Sequence, residues 1–120
     1  MSQGTRDGVR TFELVGGRAH AHGGGPSMAA ASRALPPGAY TTLRTYGARR
    51  VLRLDQHLQR LVESMALKGE PAVLDALGVR HALGAAVAAC GHEESRLRLT
   101  FAPPRLFASV EAFAPPPPTA

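Results

Sequence analysis

The hydrophobic residues of the central segment, 38–69, change their spacing near residue 54, and this change constrains the fold more than any other feature. In the first part three bulky residues stand among threonines, as is typical of a strand: Tyr40, Leu43 and Tyr46. In the second part four apolar residues fall at i, i+3, i+4 and i+7, which indicates one face of a helix: Leu58, Leu61, Val62 and Met65. We therefore predict a strand over 38–46, a returning hairpin strand over 49–54, and a helix with Asp55 as its N-cap and Gly69 just after its end.

The rest of the chain shows the same two kinds of pattern. Helical stretches are predicted over 28–35 and over 71–90, the second with a break near Gly78. Strands are predicted over 96–102 and 106–113, because the first alternates Arg and Leu and a Pro-Pro turn joins the two. A further hairpin or loop precedes the first helix. The predicted fold class is α+β, a mostly antiparallel sheet with helices packed on one face.

A chain of 120 residues has room for one domain. We place that domain at 12–113, after a polar and disordered N-terminus at 1–11 and before a Pro-rich tail or linker at 114–120, APPPPTA. Its core must be small, because 21 residues are alanine and only 26 are Leu, Val or Phe.

The sequence also bears on the compartment in which the protein works. No apolar run approaches the ~18 residues of a membrane span, and the N-terminus MSQGTRDGVR lacks the apolar region of a secretory signal. The single cysteine, Cys90, excludes an internal disulfide and favours a reducing compartment. We therefore expect a cytoplasmic protein without a membrane partner.

Arginine carries almost all of the positive charge. The formal net charge is +5, and 13 of the 14 basic residues are arginine, so that Lys68 is the only lysine. The pI near 10.7 is high enough to suggest nucleic acid as a partner. However, the arginines are scattered and only Arg49 and Arg50 are adjacent. This scatter disfavours an Arg-rich nucleic-acid-binding module, which remains the weakest of the alternatives.

Two motifs suggest other chemistry but are incomplete. HAHGGG (20–25) contains the His-Gly-Gly-Gly of some esterase oxyanion loops, yet the chain has no G-x-S-x-G nucleophile motif. Metal-ligand residues occur only as two loose pairs, His20 with His22 and Cys90 with His92. Zinc sites usually have tighter spacing and more thiolates. We predict no metal site, and we interpret Cys90 as a small buried side chain.

One ordered set of residues is more specific. Gly38 and the bulky Tyr40 precede T-T-L-R (41–44), and H-L-Q-R-L (57–61) follows after a short hairpin. R-L-R-L-T (96–100) comes later in the chain. This set resembles the N-terminal half of the class IV aminotransferases. They are the fold-type IV pyridoxal-phosphate enzymes, and they include branched-chain and D-amino-acid aminotransferases and aminodeoxychorismate lyase.

The resemblance implies roles for four residues. Arg60 corresponds to the arginine that binds the phosphate of pyridoxal 5'-phosphate, and a guanidinium offers a fork of donors to phosphate oxygens. We expect it at one end of its helix, facing an open groove. Tyr40, Arg44 and Arg98 correspond to strand positions on the substrate side. The pair Thr41-Thr42 is closer to the aminodeoxychorismate lyase-like variant than to the glutamate-bearing branched-chain group.

The lysine that anchors the cofactor lies in a second domain in this family, whereas Lys68 is predicted at the end of the first long helix. The resemblance therefore implies the N-terminal domain of a class IV transaminase or lyase, with no catalytic residue of its own and incomplete as an enzyme. The implied partners are a second copy or a complementary lysine-bearing domain, and the implied substrate is an amino acid or an aminodeoxychorismate-type compound. The alternative is a non-catalytic domain that binds a protein partner.

Overall fold

Nine elements follow one another in residues 8–114, the part of the chain that the computed structural model describes. The strands are β1 (Val9–Val15), β2 (Arg18–Gly25), β3 (Ala39–Tyr46), β4 (Arg50–Val51), β5 (Ser95–Ala102) and β6 (Arg105–Ala112). The helices are α1 (Met28–Arg33), α2 (Leu54–Leu67) and α3 (Ala76–Cys90). The strands form one sheet in the order β2-β1-β6-β5-β3-β4, and every neighbouring pair is antiparallel. The predicted α+β class with an antiparallel sheet is confirmed.

Strand β5 shows how the core is built. Its side chains alternate, so that Leu97, Leu99 and Phe101 are fully buried on the face that α2 and α3 cover. The buried residues of the two helices complete this core: Leu54, Leu58, Leu61 and Met65 from α2, and Val79, Ala82, Leu83, Ala86 and Val87 from α3. A fully buried leucine or phenylalanine side chain contributes about 1.5–3 kcal/mol. The core is thus made of a few large side chains and several alanines.

Helix α2 confirms the predicted stripe, since Leu58, Leu61 and Met65 are buried. Its end is also as predicted, because Gly69 adopts a left-handed φ of 83°. In this turn the N–H of Gly69 donates to the Ala66 carbonyl and that of Glu70 to the Met65 carbonyl, a Schellman arrangement that satisfies two free carbonyls of the last turn.

The start of α2 corrects the sequence prediction. Arg53 is the N-cap, with a left-handed φ of 57°, and Asp55 lies inside the first turn, where it makes no capping hydrogen bond. The predicted hairpin strand over 49–54 shortens to β4 because Leu54, only 1% exposed, is drawn into the core as the first helical residue. Burial of this side chain outweighs the preference of aspartate for the cap.

Helix α3 begins later than predicted and is not interrupted. It starts at Ala76 and passes through Gly78 without a break. The residues before it, 71–75, alternate between exposed and half-buried, and Ala72 and Leu74 pack against the core. Their side chains are held in the core by an extended backbone, so Pro71 does not begin the helix. The predicted end at Gly91 is confirmed, with a left-handed φ of 71°.

The first strand begins at Val9, three residues before the predicted domain start at Phe12. Val9 is buried and forms a separate small cluster with Met28 and Ala31 of α1. Burial of this side chain explains why the strand extends into the segment that its polar composition marked as disordered. Residues 1–7 and the predicted tail, from 115 onward, lie outside the described residues.

One carboxylate organises the turn between β3 and β4. Glu94 accepts hydrogen bonds from Thr45 Oγ1 at 2.6 Å, from the Gly47 N–H at 2.8 Å and from the Ala48 N–H at 3.1 Å. The turn needs this support because Ala48, a residue with a Cβ, holds a left-handed φ of 76°. The hydrogen bond from Thr45, followed by those from the two backbone N–H groups, lowers the pKa of Glu94. The ionised form of Glu94 therefore stabilises the fold.

We predict that acid weakens the fold partly through this carboxylate. Because its pKa is lowered in the folded state, Glu94 stabilises the protein fully above the ordinary glutamate pKa near 4.5. This contribution is lost as the pH falls through the folded-state value. Glu94→Gln should lower the urea midpoint at pH 7 and flatten its decline between pH 6 and pH 3. The neighbouring exposed Glu93→Gln is the control, and equal effects of the two substitutions would contradict this role.

A second prediction concerns the packing of α2. Leu61 is 1% exposed and Leu67, on the same helix, is 89% exposed. Leu61→Ala should lower the free energy of unfolding by about 2–5 kcal/mol because it leaves a cavity against the sheet. Leu67→Ala should change it by less than about 0.5 kcal/mol. Urea unfolding followed by circular dichroism measures both, and a similar loss in the two variants would contradict the packing described.

Candidate active site

The sheet face opposite α2 and α3 is lined by polar and charged side chains. We call eight of its residues the polar face: Thr11, Tyr40, Thr42, Arg44, Arg96, Arg98, Thr100 and Ser109. Thr11, Thr100 and Ser109 are buried, and Phe107 and Glu111 of β6 lie on the same side of the sheet. Strand register aligns four of them in one row across β3, β5, β6 and β1: Thr42 with Arg98, Arg98 with Ser109, and Ser109 with Thr11. Thr11 Oγ1 and Ser109 Oγ are 2.8 Å apart. The same alternation that buries Leu97 and Leu99 therefore places Arg96 and Arg98 on this face.

Arg98 is held from two sides. Its Nη1 donates to Ser32 Oγ of α1 at 2.9 Å, and its guanidinium carbon lies 4.5 Å from the centre of the Tyr40 ring. A guanidinium over an aromatic face is attracted by the electrons of the ring. Its Nε is buried and has no partner within the described residues. Arg98 is thus a half-buried cation whose orientation is fixed by Ser32 and Tyr40.

Arg44 is fixed at the other end of β3 by aromatic rings. Its guanidinium carbon lies 4.1 Å from the ring centre of Tyr46 and 4.4 Å from that of Phe113, and its Nε donates to the Thr45 carbonyl. Arg96 is its register partner on β5 and approaches Glu111 at 3.6 Å. The two arginines have different roles, since Arg96 is paired with a carboxylate and Arg44 with aromatic rings.

The structure brings together three residues that the resemblance implied. Tyr40 and Arg44 lie two positions either side of Thr42 on β3, and Thr42 pairs with Arg98 on β5. Tyr40, Arg44 and Arg98 therefore surround one point of the polar face, with Tyr40 62% exposed. Two guanidiniums beside an aromatic ring suit a ligand that has a carboxylate and a flat or apolar part.

Arg60 is not part of this group. It is exposed near the middle of the 14-residue helix α2, not at one end as expected, and α2 packs against the other face of the sheet. Within residues 8–114 its side chain makes no ion pair and no hydrogen bond. Its guanidinium is free to meet an anion, and His57, one turn before it, lines a pocket together with Arg44 of the polar face.

His57 has a role that the sequence did not reveal. Its Nδ1 lies 2.7 Å from Thr41 Oγ1, so that this pair ties α2 to β3 one turn before Arg60. Burial, and then the positive charge of Arg60, lowers the pKa of His57. No local signal points to this pair, because its members are 16 residues apart and meet only through packing.

The remaining candidate ligands are not gathered. Within residues 8–114 no three His, Cys, Asp or Glu side chains lie close enough to share a metal ion. Cys90 is half-buried against the core, and its desolvation raises the pKa of the thiol. Its side chain packs with the apolar residues but is only partly buried, where the sequence indicated a buried side chain. None of the described helices is long and apolar enough to cross a membrane.

We predict that His57 titrates below its ordinary value near 6.5 and that Arg60→Ala raises its pKa by removing a nearby positive charge. Because the folded state disfavours the protonated ring, this histidine destabilises the fold as the pH falls below about 6.5. Ring titration by NMR measures the pKa, with Arg33→Ala on α1 as the control. A value above 6.5, or equal values in the two variants, would contradict this arrangement.

One known protein family matches the part of the chain that contains most of the elements described above. The family described as Amino-transferase class IV matches residues 38–120, which include β3, both long helices, β5 and β6. No curated protein and no solved structure matches the chain significantly. Since the family match extends over more than half of its residues, the chain belongs to the class IV aminotransferase family.

Proposed function

We propose that this chain provides the N-terminal, substrate-side and cofactor-phosphate domain of a class IV transaminase or aminodeoxychorismate lyase-like enzyme, and that it is inactive alone. The observation that carries the proposal is the group formed by Tyr40, Arg44 and Arg98 on the polar face. The proposal includes a cytoplasmic location.

The polar face supplies the groups that an amino-acid substrate requires. Arg98 binds the carboxylate, because Tyr40 and Ser32 hold its guanidinium in place before the substrate arrives. The exposed ring of Tyr40 contacts the substrate side chain. Arg44 contributes a second positive charge, which favours substrates with more than one carboxylate.

The residues of this chain suit the phosphate group of pyridoxal phosphate but not its covalent attachment. Pyridoxal phosphate, when bound, supplies an electron sink for charge at the substrate carbon. Arg60 fits its phosphate, since the guanidinium is exposed and free of partners within residues 8–114. Lys68 does not fit the covalent attachment: it is exposed at the C-cap of α2, ~12 Å from Arg60 along the helix axis. A second polypeptide segment therefore has to contribute the lysine.

The two threonines of the lyase-like pattern point to opposite faces. Thr41 contacts His57 on the helix side, whereas Thr42 lies on the polar face as the register partner of Arg98. Only Thr42 is in a position to contact substrate. This supports a structural role for Thr41 and a substrate-side role for Thr42 in a lyase-like enzyme.

The partner is a lysine-bearing domain or a second copy that covers the polar face. Tyr40 is the clearest mark of such a surface, because an aromatic ring that is 62% exposed gains from being covered. The alternative of a non-catalytic interaction domain would use the same face, and activity after complementation distinguishes the two.

A complementation assay tests this function. The chain with pyridoxal phosphate and amino donors should give no turnover, and addition of a separately expressed lysine-bearing class IV domain should give turnover. Arg98→Ala should then raise the substrate KM about tenfold or more, as expected for loss of a charge-assisted hydrogen bond. Arg60→Ala should raise the pyridoxal phosphate requirement similarly, and Lys68→Ala should change neither. Turnover by the chain alone that Lys68→Ala abolishes would overturn the proposal.

A further inference from the structure

A groove between β4 and α3 takes no part in the proposed function. It encloses about 450 Å³ and is lined by seven residues: Arg49, Arg50, Val51, Leu52, Leu54, Arg80 and Leu83. We call it the arginine groove. Its floor lies on the helix side of the sheet, whereas Arg50, the register partner of Tyr46, starts from the opposite side of the edge strand β4.

The floor of the arginine groove is apolar. Leu54 and Leu83 are core residues, 1% and 2% exposed, and Val51 is half-buried beside them. Leu52 stands at the edge and is 58% exposed. An apolar ligand body seated here would remove the Leu52 side chain from water and gain contact with a floor that is already in place.

Arginines border the arginine groove. Arg80 approaches Asp55 only at 3.8 Å, with side chains 50% and 77% exposed, and such a surface pair contributes little. Arg49 and Arg50 form no ion pair within residues 8–114. The rim therefore keeps most of its charge available to a ligand, in the form of guanidiniums, whose donor forks match carboxylate and phosphate oxygens.

The size of the groove favours a small molecule over a protein. A volume of about 450 Å³ falls within the range of about 300–1,000 Å³ for small-molecule sites. A standard protein interface takes roughly 20–30 residues from each side, far more than line this groove.

We propose that the arginine groove binds an amphipathic anion, a carboxylate or phosphate head carried on an apolar chain or ring. The head contacts Arg49 and Arg80, and the body lies over Leu52 and the leucine floor. This site is separate from the candidate active site, and its failure would leave the complementation result unaffected.

NMR titration of the full chain tests the proposal with octanoate as the probe. Acetate carries the same charge without the body, and 1-octanol carries the body without the charge. Octanoate should shift the amide signals of 49–54 and 80–83 saturably. It should bind at least tenfold more tightly than acetate and than 1-octanol. Octyl phosphate in place of octanoate distinguishes a phosphate head from a carboxylate head, and tighter binding of either supports the site.

Variants at the rim and at the edge separate charge from apolar contact. Arg49→Ala and Arg80→Ala should each weaken octanoate binding about tenfold, and Leu52→Ser should weaken it several-fold. All three side chains are exposed, so the variants should keep the amide spectrum of the folded chain. Arg18→Ala, an exposed arginine on β2, is the matched control and should leave the affinity unchanged.

Several outcomes would overturn the proposal. If acetate bound as tightly as octanoate, the positive charge alone would account for binding and the apolar floor would contribute nothing. Equal weakening by Arg18→Ala would indicate attraction by the net charge of the whole protein. Saturable shifts confined to another part of the chain, no saturable shifts, or binding only to anionic phosphatidylglycerol vesicles would each exclude a small-molecule site here.

Discussion

The two-sided character of β5 is the constraint on which the rest of the structure depends. Leu97, Leu99 and Phe101 point into the core, and Arg96 and Arg98, which alternate with them, are thereby directed to the other face. A shift of register by one residue would bury the arginines and expose the leucines. The pairing of β5 with β3 and β6 is therefore fixed by burial, and with it the position of every residue on the polar face.

A small core can support this sheet because it is distributed over few but well-placed side chains. Helix α3 contributes alanines where a larger side chain would separate it from the sheet, and Ala82 and Ala86 are fully buried. Helix α2 contributes the larger residues, and its position is further fixed by the contact between His57 and Thr41. The same packing places Arg60 on the exposed side of α2.

The two faces of the domain suit different kinds of ligand. On the polar face, arginines are oriented by aromatic rings and by Ser32. At the arginine groove, arginines border an apolar floor, and among the described residues the one ion pair they form is the exposed contact of Arg80 with Asp55. Six of the thirteen arginines, whose abundance by itself suggested nucleic acid, thus belong to these two small sites.

Patterns of spacing along the chain were sufficient to predict the α+β class, the strands β3, β5 and β6, the stripe of α2 and the glycines that end α2 and α3. These features depend on residues a few positions apart, and they can be predicted because helices and strands each repeat with a fixed spacing of residues. The cap at Arg53, the extended segment before α3, the pairing of His57 with Thr41 and the gathering of Tyr40 with Arg98 were decided by tertiary structure. In each case residues distant in sequence compete for burial or for a hydrogen-bond partner, and only packing determines which of them meet.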